Sequence, residues 1–287
     1  MNKRKFGVDW SKTIAKIKEQ NQGGGKKDFK DERIYYPQIK EDGTAQAIIR
    51  FLPPKDTDMP FVKVFSHSFR GPGGWFINDC PTTNGKECPV CKANSALWDT
   101  DPDTVRIRKR KVSYYSNILV IKDPQNPDNN GKVFLYRYGK KIYDKIMEKI
   151  SPPEDGIDDP IMVFDCYDGA NFRLKIKQVP VADKKMPNYD SSEFDSVSSI
   201  GTEAEIGKIM NQRFNLTEFL ERVKPYEELA ERLERVLGKD VVQPQTPAPV
   251  EDTSDNEETS NTEEDPVIGE GDGDEDEFFE KLSRDDD

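Results

Sequence analysis

The only histidine of the chain and three of its four cysteines lie between His67 and Cys91, in HSFRGPGGWFINDCPTTNGKECPVC. Their spacing is His67-x12-Cys80-x7-Cys88-x2-Cys91, and the closing CPVC is the tight knuckle that lets two thiolates grip one tetrahedral ion. Three thiolates and an imidazole fill all four positions of such an ion, so the chemistry predicted is one structural zinc with no position left open. A thioredoxin-like redox pair fits less well, because no βαβ pattern surrounds CPVC. The remaining cysteine, Cys166, could replace His67 in a four-cysteine site. In IMVFDCYD it alternates with Met162 and Phe164, which suits a buried core cysteine better.

A second set of residues combines positive charge with aromatic rings. NFRLKIKQV places Phe172, Leu174 and Ile176 on one side of a strand and Arg173, Lys175 and Lys177 on the other. RIRKRKVSYYSN and LYRYGKK add Arg106, Arg108, Lys109, Arg110, Lys111, Arg137, Lys140 and Lys141, interleaved with Tyr114, Tyr115, Tyr136 and Tyr138. Single-stranded nucleic acid calls for this mixture, because cations track phosphates and rings stack on unpaired bases whose faces a duplex hides. Taken singly, each residue fits a solvated sheet surface or a half-buried strand tyrosine. The clustering of both kinds on neighbouring strands favours the nucleic-acid reading.

Strands must carry most of these side chains. AQAIIRFLP, FVKVFSHSF, SNILVIKDP, GKVFLYRYG, IMVFDCYD and NFRLKIKQV are short, rich in aromatic and branched residues, and bounded by turn formers such as DNNG and DGAN. Such a body is mainly β with helices, an α+β chain whose strands form a sandwich or a barrel. FVKVFSHSF and WFIND, joined by RGPGG, predict a hairpin that brings His67 towards Cys80, while the Asn84-Gly85 turn returns the chain to the knuckle. Helical periodicity appears in KKIYDKIMEKI, where Ile142 and Ile146 lie one turn apart. It returns in EIGKIMNQRFNLTEFLERVKPYEELAERLERVLG, which Pro225 is expected to divide into two helices.

The two ends differ from this body. The chain of 287 residues carries a net charge of −12, yet residues 251–287 alone hold 18 acidic residues against Lys281 and Arg284, a local net of −16 that leaves the rest at +4. The uncharged, proline-rich VVQPQTPAPV precedes that run, and the run itself has too few apolar residues to fold, so a hinge and a disordered acidic tail are expected over 241–287. Phe278, Phe279 and Leu282 are the apolar cluster of the tail, spaced to form one face of a helix folded on a partner. At the other end VDWSKTIAKIKEQ sets Trp10, Ile14 and Ile17 on one face of a short lysine-rich helix, with the joint NQGGGKKD after it. That joint lacks the spacing of a P-loop, and GDGDEDE lacks the glycine of an EF-hand loop. No apolar run approaches the roughly 18–20 residues of a membrane span, and MNKRKFGVDW is not a secretory leader. A reducing compartment is expected, where close cysteines hold metals rather than disulfides.

The order of these segments resembles a known family. KRK near the start, AQAIIRFLP, the histidine and three cysteines ending in CPVC, KRKVSYYSNILVIKDP, GKVFLYRYGKKIYDKI, DGANFRLKIKQV and the acidic tail are together similar to the single-stranded DNA-binding (helix-destabilising) proteins of T4-type bacteriophages. The resemblance implies an OB-fold barrel core over 22–240 with a zinc subdomain at about 61–98, and a basic arm over 1–21. It places the zinc on His67, Cys80, Cys88 and Cys91, and a basic stretch on Lys109, Arg110 and Lys111, with Tyr114 and Tyr115 next. Through Lys3, Arg4 and Lys5 the arm would drive cooperative binding along the strand. The acidic tail would contact the polymerase, helicase loader and recombination mediator during phage DNA replication, recombination and repair in the cytoplasm of the infected host.

This chain departs from the family pattern in reading KRKFG and KRKVS where basic residues usually precede Ser or Thr. It also places Trp98 where the family can have tyrosine. Two other classes share parts of the pattern. A zinc-ribbon RNA-binding or transcription factor has the knuckle but not the paired tyrosines. A zinc-dependent nuclease needs an open metal position and nearby carboxylates, and although Asp79 and Glu87 are close in sequence, the four soft ligands already fill the ion.

Overall fold

The structure, a computed structural model, describes residues 31–55, 59–153, 156–181 and 184–238. The arm with Lys3, Arg4 and Lys5, the helix expected around Trp10, and the hinge and tail with Phe278, Phe279 and Leu282 lie outside the described residues.

Eight strands form one antiparallel sheet: β1 (Thr44–Phe51), β2 (Val62–Gly71), β3 (Gly74–Asp79), β4 (Lys111–Lys122), β5 (Val133–Tyr138), β6 (Ala170–Val181), β7 (Lys184–Asn188) and β8 (Glu193–Val197). Their order is β3-β2-β4-β1-β6-β7, with β5 beside β4 and β8 beside β6, so the pairings among the described residues make an open path with two branches. The central strand β4 is buried from Ser113 to Val120, as expected of a strand covered on both faces. On β6 the alternation is clean: Phe172, Leu174 and Ile176 are buried, and Arg173 and Lys177 are exposed. The main core gathers around Phe51, a fully buried residue whose ring lies within 5.6–6.4 Å of Tyr136, Tyr138, Phe164, Phe172 and Phe194.

Six α-helices and two short 3-10 helices (Pro81–Asn84 and Pro127–Asn129) complete the described fold, the α-helices being α1 (Pro89–Leu97), α2 (Pro102–Arg108), α3 (Lys140–Ile150), α4 (Glu203–Met210), α5 (Glu218–Glu221) and α6 (Tyr226–Leu237). The result is a mainly antiparallel sheet with several helices, in keeping with the α+β expectation. The expected strand and helix segments are found except in two places, and α1, α2, β7 and β8 come in addition to them. IMVFDCYD is a series of turns rather than a strand, because the Asp165 carboxylate accepts from the backbone N–H groups of Tyr167 at 2.7 Å and Asp168 at 2.8 Å. The buried Arg50 guanidinium holds this loop, donating to the carbonyls of Asp165 at 2.8 Å and Ser198 at 2.7 Å. Towards the C-terminus there are three helices, not two: Pro225 caps α6 as expected, but the Asn215 side chain accepts from Thr217 N–H at 2.9 Å and starts a separate turn at α5.

The last helix reaches back across the fold. Leu229, Leu233, Val236 and Leu237 of α6 share a cluster with Phe69, Phe76, Cys80, Cys88 and Val90, so the cysteine-bearing segment is closed by residues from the far end of the body. The C-terminus of α6 lies on the β2–β3 turn, where Gly73 N–H donates to Val236 O at 2.9 Å. A Cβ at Gly73 would fall 2.0 Å from Arg235 O, a distance no side chain tolerates. Gly73→Ala is therefore expected to lift the end of α6 and destabilise the fold by about 1–3 kcal/mol, the range for overpacking. Urea unfolding monitored by tryptophan fluorescence measures this, and an unchanged midpoint would show that the helix can yield without cost.

Candidate metal centre and nucleic-acid interface

The hairpin and knuckle predicted from spacing bring four ligands to one point. His67 extends from β2, Cys80 comes directly after β3, Cys88 caps α1 and Cys91 lies in its first turn. Their ligand atoms all lie within 4.8 Å of one another. His67 Nε2 is 3.5 Å from Cys88 Sγ and 3.4 Å from Cys91 Sγ, and Cys80 Sγ is 3.6 Å from Cys91 Sγ. A tetrahedral ion with metal–sulfur bonds of about 2.3 Å and a metal–nitrogen bond of about 2.0 Å has ligand separations of roughly 3.5–3.8 Å, so the donor set fits. Cys166 lies elsewhere, with its Sγ 3.9 Å from Met210 Sδ, which removes it from the ligand set.

Outer groups orient these ligands. His67 Nδ1–H donates to Arg108 O at 2.8 Å, which turns Nε2 towards the sulfurs, and the Asn94 amide supports the same carbonyl at 3.1 Å. The ionisations of the four groups depend on one another. Hydrogen bonds from Cys88 and Cys91 push the Cys80 thiol far down, while hydrogen bonding with Cys80 and Cys88 pushes Cys91 far up. Burial lowers the His67 imidazole, but hydrogen bonds with Cys80 and Cys88 outweigh it and raise the group to about 9. A divalent ion relieves this conflict by letting all three thiols ionise together. The four residues could hold one metal ion.

The candidate nucleic-acid residues separate into several environments. Tyr114, Tyr115, Tyr136 and Tyr138 are only 4–5% exposed. Tyr114 and Tyr138 pack in the main core, where Tyr114 stacks on Tyr143 with centroids 4.1 Å apart and Tyr138 O–H pairs with Ser116 Oγ at 2.9 Å. Burial raises the Tyr138 hydroxyl. Tyr136 joins that core, but Tyr115 lies on the opposite face of the sheet, stacked on Phe219 at 4.1 Å beneath the Arg222 guanidinium. The strand period of two accounts for this, since adjacent residues cannot share a face. A base reaching any of the four must displace a packed ring. Half-buried rings at the edge of the Tyr114 stack are Tyr143 and Phe61, whose centroids are 5.4 Å apart. Neither stood out in sequence, because Tyr143 sits beside a core isoleucine of α3 and Phe61 precedes β2.

The cations also have partners that their own segments did not reveal. Arg173 and Lys175 form ion pairs with Asp195 at 2.5 Å and Glu193 at 2.6 Å, both on β8, so the positive row on β6 is partly neutralised. Arg106 pairs with Asp103, Lys140 with Asp144 and Lys141 with Asp190. Arg137 donates to Ser113 Oγ at 3.1 Å. Arg108 is half-buried over the Phe69 ring, where burial lowers its guanidinium. Lys109, Arg110 and Lys177 are exposed, Lys111 is half-buried at the start of β4, and Trp98, 50% exposed, ends α1.

An antiparallel sheet carrying a Cys3His cluster that could hold one metal ion, with exposed cations beside it, fits a class of sheet proteins that bind nucleic acid, and four such ligands would leave no open metal position. A family model described as "gp32 DNA binding protein like" matches residues 43–237, and the chain belongs to that family, whose members are not enzymes. Over 248 residues the chain is 38% identical to the single-stranded DNA-binding protein of Enterobacteria phage T2, covering 83% of this chain and 80% of that protein. The match to the protein of the same name from Enterobacteria phage T4 is 37% over 254 residues, 84% of this chain and 81% of that one. The protein of that name from Enterobacteria phage RB70 is 36% identical over 120 residues, its whole length and 40% of this chain. Among the described residues no helix is long and apolar enough to cross a membrane.

Proposed function

We propose that this protein binds single-stranded DNA without sequence preference and coats it during phage DNA replication, recombination and repair in the infected host cell. The observation that carries this reading is identity of 37–38% over four-fifths of two phage proteins named for single-stranded DNA binding. On this reading the sheet core is an OB-fold and His67, Cys80, Cys88 and Cys91 hold one structural zinc, which fixes the cysteine segment against β2 and α6 without taking part in chemistry. The strand runs over the basic and aromatic surface that includes Arg110, Lys111 and Lys177. Lys3, Arg4 and Lys5 serve contact between neighbours on the strand. Phe278, Phe279 and Leu282 serve docking of replication proteins.

Affinity for single-stranded DNA, RNA and duplex of equal length, measured by fluorescence anisotropy across a salt series, tests it. Single-stranded DNA is expected to bind most tightly, with log affinity falling by about 0.7 per neutralised phosphate for each tenfold rise in salt. Equal or stronger binding to duplex or RNA would overturn the proposal.

A further inference from the structure

Phe65 lies half-buried on β2, and its ring is approached from two segments by positive charge. Lys63 Nζ and the Arg110 guanidinium each sit 4.9 Å from its centroid. The Phe65 backbone is held on both sides, because Phe65 N–H donates to Thr83 Oγ1 at 2.9 Å and Phe65 O accepts from Cys80 N–H at 2.7 Å. Arg110 in turn donates to Thr82 Oγ1 at 3.3 Å. The turn after Cys80 thus anchors both the residue that bears the ring and one of its cations.

Register places this cluster on the Tyr114 face. Lys63 is opposite Tyr114 and Phe65 opposite Val112 in the β2–β4 pairing, and residues directly across an antiparallel pair share a face. Phe65 shares that face of β2 with Lys63 and packs against the cluster that holds Cys80 and Cys88. Lys63 and Arg110 converge on the ring, whose negative face attracts both. A nucleotide matches the two parts of the cluster: a base for the ring and phosphates for the cations.

We propose that Phe65, Lys63 and Arg110 form a nucleotide subsite, in which the Phe65 ring stacks on one unpaired base and the two cations contact the phosphates flanking it. The subsite rests on the reading of the chain as a single-stranded DNA-binding protein.

The test uses the full chain and labelled oligothymidylate over a salt series, with metal content and thermal midpoint recorded for each variant. Phe65→Leu is expected to weaken binding about 5- to 150-fold with little change in salt slope, and Phe65→Tyr to stay within about twofold of the wild type. Lys63→Gln, at an exposed position, should flatten the salt slope by about 0.7. Folded, metal-loaded Phe65→Leu with wild-type affinity overturns the subsite. If that variant does not fold, Lys63→Gln decides: a flattened slope supports the subsite and an unchanged slope overturns it. A wild type that prefers duplex overturns the function on which the subsite rests, whatever the variants do.

Discussion

Cys88→Ser and Cys91→Ser are each expected to empty the metal centre and lower the thermal midpoint by about 8–16 °C. The four residues are not peripheral: Cys80 and Cys88 sit in one cluster with Phe69, Phe76 and four apolar residues of α6, so an ion held there would tie β2, β3 and α1 together where α6 packs on them. In small metal domains the binding free energy of the ion is folding free energy, about 10–16 kcal/mol for zinc-finger peptides. The sheet retains its own core here, and a loss of only about 4 kcal/mol at 2–4 °C per kcal/mol gives the stated shift. Elemental analysis and a thermal melt check the prediction. Cys166→Ser provides the contrast: it should keep the metal, because that thiol lies against Met210 outside the cluster. Full metal content and an unchanged melt in both knuckle variants would rule out the centre.

Removal of residues 251–287 is expected to tighten binding to single-stranded DNA about 10- to 100-fold at low salt, with the gain shrinking as salt rises. The segment carries a net of −16 on a remainder of +4. The last described helix, α6, ends at Leu237, and Gly73 on the β2–β3 turn donates to Val236 O. The 14 residues from Gly238 to Glu251 can span at most about 50 Å at up to 3.6 Å each. A tethered polyanion competes with phosphate at an effective concentration on the order of millimolar. DNA must then displace it. Screening weakens that competitor, which gives the salt dependence its sign. Anisotropy titrations of full-length and truncated protein at low and high salt make the comparison. Equal affinities throughout would leave the acidic segment without this role.

How far the sequence could be read depends on the range of the interaction concerned. The metal ligands were legible because thiol and imidazole chemistry, a CxxC knuckle and a glycine-rich hairpin are all local. The strands were legible where alternation was strong, as on β6. IMVFDCYD misled because its apolar letters alternate, while an Asp165 side chain competes for the backbone and Arg50, more than a hundred residues earlier, holds the resulting loop. The edge strands β7 and β8 are short and carry little apolar signal, and one of them contains Pro187.

By itself the sequence determined that the chain is mainly strands with helices, that His67, Cys80, Cys88 and Cys91 come together in a cluster that could hold a metal ion, and that charge is divided between a basic body and an acidic end. These rest on residue chemistry and short periods, which folding cannot change. Tertiary structure decided which charges and rings remain available. Arg173 and Lys175 meet carboxylates only because β8 returns beside β6. Tyr114 and Tyr115, adjacent in the chain, enter different cores because β4 is covered on both faces. Phe65 gathers Lys63 from its own strand and Arg110 from 45 positions away because pairing of β2 with β4 places both beside one ring. Side-chain type is a property of a position, whereas exposure and partnership are properties of packing, and packing joins segments whose separation along the chain carries no signal.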